Sequence, residues 1–468
     1  MQFIKLLLIF FSVSGIAQKA DLSFSLIQAI EYAQQNNATL KAADLQIKAA
    51  EEKKWETISI GLPKVDATIG YNNWIKQQVS LIPAAAFDNT QSIINVVNNY
   101  FDANQINNNV SQAEGLIPIR FGTKQSMDAN LSLRQLIFDG SYFVGLKSVQ
   151  IYVDIEEGLR NKTSVELKKS TTEAYGNVLL AKESIRIIKG NIEILKSTIK
   201  EVQKLYENGL TEEENLEQLQ ITLAILESSL KNNIIQEKGA LQLLNLILGI
   251  DINKPIILSD DFEELIKNNL DLSIILNNNN IKKSADYLIR ENDKVSKELL
   301  ILYEKSKLLP KINAFLNSGY SGYSDTFNFT NKSQKWYGST IFGLKMDIPI
   351  FSSAEQLSKI NRAKIDLEKS ILLLDEFEKK LSIQVNIAKG NYQFAVEEYF
   401  NQKRNLALAE RIENKNKIKF IEGLSSSFEL KEAQSQFYNS QQNYLMSMFN
   451  IISTKAKLES LTSENNKN

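Results

Sequence analysis

The chain contains no cysteine and no histidine in 468 residues. Disulfides, thiol nucleophiles, imidazole acid/base chemistry and the usual zinc or haem ligation are therefore excluded. Proline is scarce at six residues, so long helices need not be interrupted. No charge of one sign dominates, with 54 basic against 55 acidic residues and a sequence pI near 6.0. No basic face points to nucleic acid. Beyond the first residues, no run reaches the roughly 18 apolar residues that a membrane helix requires. If the mature chain crosses a membrane, it crosses as strands.

The first seventeen residues read as a secretory leader: Lys5, the apolar run Leu6 to Phe11, and the small-x-small site Gly15-Ile16-Ala17. Cleavage exposes Gln18, and with no cysteine to follow, a lipid anchor is not expected.

Between Ser141 and Gly249 lies one long helical hairpin. Ile185, Ile188, Ile192, Leu195, Ile199, Val202 and Tyr206 alternate steps of three and four, the seam of a coiled coil. Gly209 breaks the pattern, and Leu216, Leu219, Leu223, Leu226 and Leu230 resume it. Two antiparallel helices must meet at Gly209.

Elsewhere the period changes to two. Val65, Ala67, Ile69 and Tyr71 alternate with polar residues, as do Met127, Ala129, Leu131 and Leu133. The stretch from Phe24 to about Ile60 reads as helix, and 75–122 as a long excursion between the two strands. Leu62-Pro63-Lys64-Val65-Asp66-Ala67 recurs 247 residues later as Leu309-Pro310-Lys311-Ile312-Asn313-Ala314. Tyr206-Glu207-Asn208-Gly209-Leu210-Thr211 recurs 214 residues later as Phe420-Ile421-Glu422-Gly423-Leu424-Ser425. The unequal shifts place about 34 extra residues between the first two strands. The chain is thus a duplicated unit rather than a solenoid.

The expected organisation is a leader at 1–17, then a first repeat at 18–250 with strands at 64–73 and 126–138 and a hairpin at 141–249. A linker at 251–280 joins it to a second repeat at 281–462, with strands at 311–323 and 336–350 and a hairpin at 352–460. A disordered tail at 463–468 follows. Four amphipathic strands cannot close a water-filled barrel, and an open sheet edge cannot sit in lipid. Several chains must share one barrel, its polar faces (Asp66, Asn72, Asp128, Asn130, Arg134, Asn313, Asn317, Lys345, Asp347) lining water. A soluble sandwich with one wet face is the competing reading.

With these motifs in order, the sequence resembles the TolC family of outer-membrane efflux proteins. The residues carrying the likeness are Leu62-Pro63-x-Val65-x-Ala67 and its copy at Leu309, Leu136-Ile137-Phe138-Asp139-Gly140, the turns Gly209-Leu210 and Gly423-Leu424, and the segment Ala433 to Leu458. The resemblance implies a mainly α fold with a transmembrane β part, in which a homotrimeric twelve-stranded barrel is continued by an α-helical tunnel. It implies an outer-membrane location with a large periplasmic portion, and a passive exit duct joined to a periplasmic adaptor and an inner-membrane pump. Docking tips fall on Gly209, Leu210 and Thr211 and on Gly423, Leu424 and Ser425. An aperture gate falls on Glu429 and Glu432, three apart on one helix face; a merely solvated helix face is the alternative. Neither catalytic residues nor a cofactor or metal are expected. Two rival readings are a secreted coiled-coil scaffold or adhesin with a soluble β domain, and a periplasmic adaptor. The duplicated strand pairs weigh against the second.

Overall fold

The computed structural model describes residues 22–87, 89–101, 114–276 and 281–463. The leader at 1–17, residues 277–280 of the linker and the tail from 464 onward lie outside the described residues. In chain order the elements are β1 (Leu22–Phe24), α1 (Leu26–Asn36), α2 (Ala38–Ser59), β2 (Lys64–Asn73), β3 (Val79–Pro83), α3 (Thr90–Phe101), β4 (Leu116–Arg120) and β5 (Gln125–Asp139). Next come α4 (Gly140–Glu207), α5 (Glu213–Leu248), β6 (Ile256–Leu258), α6 (Phe262–Asn269), α7 (Ser273–Leu276) and α8 (Ala285–Ser306). The chain ends with β7 (Lys311–Ser324), β8 (Trp336–Asp347), α9 (Glu355–Ile421) and α10 (Ser427–Thr462). Helices α4 and α9 have 68 and 67 residues, with no proline inside either.

Two compact units draw on alternating parts of the chain. One comprises Glu56–Leu146 and Leu302–Ser358 and is built on a four-stranded antiparallel sheet of order β2-β5-β7-β8. Period-two alternation and strand register cooperate here. Val65, Leu133, Leu316 and Phe342 form one row across all four strands, and Asp66, Ser132, Asn317 and Ile341 the next. Because neighbouring rows point to opposite faces, one face is apolar through Val65, Ala67, Ile69, Leu131 and Leu344. The apolar side chains stand in the open: Ile69 is 75% exposed and Phe342 69%. Strands β2 and β8 are the sheet's two edges.

The other unit comprises the described residues up to Trp55, Lys147–Ile301 and the described residues from Lys359. Its core joins α4, α5, α9 and α10 around the fully buried Tyr175, Tyr392, Leu244, Leu248 and Ile451. A second core holds the predicted seam, Ile188, Ile192, Leu195, Val202, Leu216, Leu219 and Leu226, together with Phe420 and Leu430 of the other hairpin. The two coiled-coil hairpins therefore share one interior. The described part of the linker packs into this unit. Strand β6 pairs in parallel with β1, and Phe262, Leu265 and Ile266 of α6 are buried in the main core.

Two sequence expectations need correction. The helix drawn from Phe24 to Ile60 is β1 followed by two helices broken at Asn37, whose ψ is 130°. The Asn37 side chain accepts from the amides of Thr39 and Leu40 and donates to the Ile247 carbonyl. That local capping competes with continued helix. The fourth strand stops at Asp347 rather than 350, since Pro349 has no N–H for the ladder. The 75–122 stretch is the excursion between β2 and β5 that the sequence suggests, and within it β3 and β4 pair antiparallel with α3 between them.

Candidate functional site

The predicted site residues gather at two turns built alike. At the first, Gly209 has φ +69°, and the amide of Leu210 donates to the Leu205 carbonyl at 2.8 Å. At the second, Gly423 has φ +71°, and the amide of Leu424 donates to the Lys419 carbonyl at 2.7 Å. Both are helix ends closed by a left-handed glycine and a six-to-one hydrogen bond. The residue after such a glycine often packs back on its own helix. Here it does not, since Leu210 is 72% and Leu424 73% exposed. Two leucines projecting from helix ends are available to a partner.

The turns differ beyond the glycine. Between 204 and 214 stand four glutamates and one lysine, whereas the matching stretch 418–428 holds one lysine and one glutamate. Thr211 accepts from the Asn215 side chain at 2.9 Å, and the helix that follows has Glu212 at its N-cap with no side-chain cap. The second turn passes through Ser425, and Ser426 opens α10 with a full capping box. The Glu429 amide donates to Ser426 Oγ at 3.3 Å, and the Ser426 amide donates to Glu429 Oε2 at 3.1 Å.

Glu429 therefore holds a structural position that the sequence reading overlooked, although Ser426-x-x-Glu429 is a legible signature. Glu432 is different. It is exposed, and among the described residues it has neither ion pair nor hydrogen bond. It offers an uncommitted carboxylate one helical turn from Glu429.

A second missed residue lies higher on α9. Tyr392, Tyr399, Leu406, Glu413 and Phe420 follow one another at steps of seven, so Glu413 occupies a seam position that is otherwise apolar or aromatic. It is only 8% exposed. Burial raises its pKa above the ordinary value of 4.5, Lys417 opposes the shift, Glu410 adds to it, and a hydrogen bond from Gln434 opposes it. Tyr438 on α10 is pushed up by burial and then by Glu413. The buried Gln434 Oε1 has no partner, and a protonated Glu413 is the kind of donor it lacks.

The sign follows from linkage. The folded chain binds this proton more tightly than the unfolded one, so the penalty is absent below about pH 4.5 and grows as pH rises through the folded value. Glu413→Gln is expected to raise the melting temperature at pH 7 to 8 and leave it unchanged near pH 4. Thermal melts across that range check this, and a variant curve parallel to wild type at every pH would refute it.

Among the described residues no group of three or more acidic side chains could hold a metal ion, and no helix is long and apolar enough to cross a membrane.

Residues 301–463 match the sequence model of the outer membrane efflux protein family. No curated protein matches the chain by sequence. In structure it is similar to CusC, described for transmembrane channel formation, with a TM-score of 0.72 at 15% identity, covering 95% of this chain and 93% of that one. It is similar also to the outer membrane channel CmeC of Campylobacter jejuni (TM-score 0.68, 15% identity, 94% and 87% covered). The outer membrane protein VceC of Vibrio cholerae gives 0.68 at 12% identity, with 94% and 96% covered. The fold is that of the TolC-like outer-membrane channels, as the duplicated motifs led one to expect.

Proposed function

We propose that this chain, which has the fold of TolC-like outer-membrane channels and matches the outer membrane efflux protein family over residues 301–463, is a passive exit duct. In this reading three copies close a twelve-stranded barrel in the outer membrane, and their helices form a tunnel in the periplasm. An inner-membrane pump, coupled through a periplasmic adaptor at the helix tips, loads cargo into the tunnel as part of a tripartite efflux or type I secretion system. The chain itself carries out no chemistry.

The observation that supports this best is the sheet. Its rows sort into an exposed apolar face and a polar face, and β2 and β8 remain unpaired edges. In lipid an unpaired edge costs several kcal/mol per unsatisfied group. Joining β8 of one copy to β2 of the next removes both edges, and the apolar rows then meet hydrocarbon. A secreted scaffold with a soluble β domain leaves side chains such as Ile69 and Phe342 in water with nothing to cover them. The exposed Leu210 and Leu424, set at two turns built alike, support docking of a partner at the tips.

The purified full chain is expected to require detergent, to run as a trimer, and to give discrete single-channel steps in a planar bilayer. A monomer that stays soluble without detergent and conducts nothing would exclude the duct.

A further inference from the structure

The excursion between β2 and β5 has no counterpart in the second repeat, where β7 and β8 are joined by residues 325–335 alone. At the foot of its ribbon is a cavity of about 280 Å³ whose lining comes from both excursion and sheet. The sheet's contribution fixes its side. Ser126 stands opposite Asn72 and Tyr323 in register, two rows on from Gly70, Asp128, Ser321 and Tyr337 and so on the same face. The cavity thus lies on the polar face, at the sheet end remote from Asp139.

Its chemistry is of one kind. The rings of Trp74, Phe121 and Tyr323 line it, and Trp74 and Tyr323 are each 50% exposed. Gln78, Ser80 and Ser126 add an amide and two hydroxyls, none hydrogen-bonded to another described residue. No carboxylate, ammonium or guanidinium is among the lining residues. The frame is fixed independently: the Trp74 amide donates to the Lys124 carbonyl at 2.9 Å, Gln77 Nε2 donates to the Gly122 carbonyl at 3.3 Å, and Thr123 Oγ1 to the Gln125 carbonyl at 2.7 Å. The lining hydroxyls and the Gln78 amide can each donate and accept.

We infer that this cavity is a binding site for a neutral saccharide. Flat rings accept the C–H faces of a pyranose, while uncommitted amide and hydroxyl groups match its hydroxyls. A charged ligand would find no counter-charge in the lining, and an apolar one would leave the polar groups unmatched on desolvation. The volume lies just under the ~300–1,000 Å³ of drug-sized sites, which suits one sugar ring. None of this requires the duct reading, which only decides that the ring would be met at the outer mouth.

The test uses the full chain in a detergent without a sugar headgroup. The chain has three tryptophans, so Trp55→Phe with Trp336→Phe leaves Trp74 as the sole reporter. Glucose, galactose, N-acetylglucosamine and maltotriose are titrated, with glucuronate as the charged control and an uncharged planar aromatic as the apolar one. Expected is a saturable change in Trp74 emission with at least one neutral sugar, about tenfold weaker in Tyr323→Ala and in Gln78→Ala. Phe327→Ala, outside the cavity, should not alter it. No saturable response to any neutral sugar overturns the site, as does a response that Gln78→Ala leaves unchanged. Equal binding of glucuronate, or binding of the aromatic alone, overturns the ligand class. If Tyr323→Ala fails to fold, Gln78→Ala decides.

Discussion

Gly249→Ala is expected to lower the melting temperature by roughly 5–10 °C, the largest single stability loss in the helical unit from removing no side chain at all. Gly249 ends α5 in the left-handed region, at φ 74° and ψ 29°, where an alanine costs about 1–2 kcal/mol. A second cost adds to it. A Cβ there would stand 2.5 Å from the Asn36 carbonyl oxygen and 2.9 Å from its carbon, both backbone atoms that cannot swing aside. Asn37 next door is already tied to the Ile247 carbonyl, so the break between α1 and α2 is docked against the end of α5. The total is about 3 kcal/mol. Gly190→Ala is the control: that residue lies inside α4 with open space around its Cβ, and there alanine should stabilise by about 0.5–1 kcal/mol. Equal melting of Gly249→Ala and wild type would show that this docking is not what secures the helix ends.

Glu429→Gln with Glu432→Gln is expected to reduce the cation preference of single channels several-fold while leaving the fold intact. Glutamine still serves at the third position of a capping box, so the first substitution removes charge without removing the hydrogen bond to the Ser426 amide. Glu432 has no partner among the described residues to lose. Glu429→Ala separates the roles, since it removes the charge together with the bond from the Ser426 amide, leaving the Ser426 hydroxyl on the 429 amide, and adds up to about 1 kcal/mol of helix fraying. Reversal potentials in a salt gradient measure the ion preference. If the double variant keeps wild-type selectivity, the pair is no gate, and Glu429 is a helix cap alone.

The strand pairs and hairpins are legible in sequence because each is specified locally and twice. Period-two alternation set the faces of β2 and β5, and the Leu62-Pro63 and Gly209-Leu210 motifs recur in order. Tertiary effects were not legible. Nothing near Asn37 in sequence shows that its side chain reaches the Ile247 carbonyl, 210 residues away. Strand β1 forms only because β6 lies beside it. The excursion lacks a period because its ribbon is short and exposed on both faces, so neither register nor burial imprints an alternation. At the tips the glycines were readable, but the gate reading passed over Ser426, and Glu413 went unnoticed although its heptad position was visible.

The two open edges of the four-stranded sheet also govern how such a molecule can be made. A lone copy presents strands of ten and twelve residues, β2 and β8, each a template for any passing strand. Time spent as a single chain is then time at risk of aggregation, and the risk rises with concentration. Partnering and entry into the bilayer must keep pace with one another during biogenesis, and an escort that shields these edges in transit would raise the yield without altering the finished product.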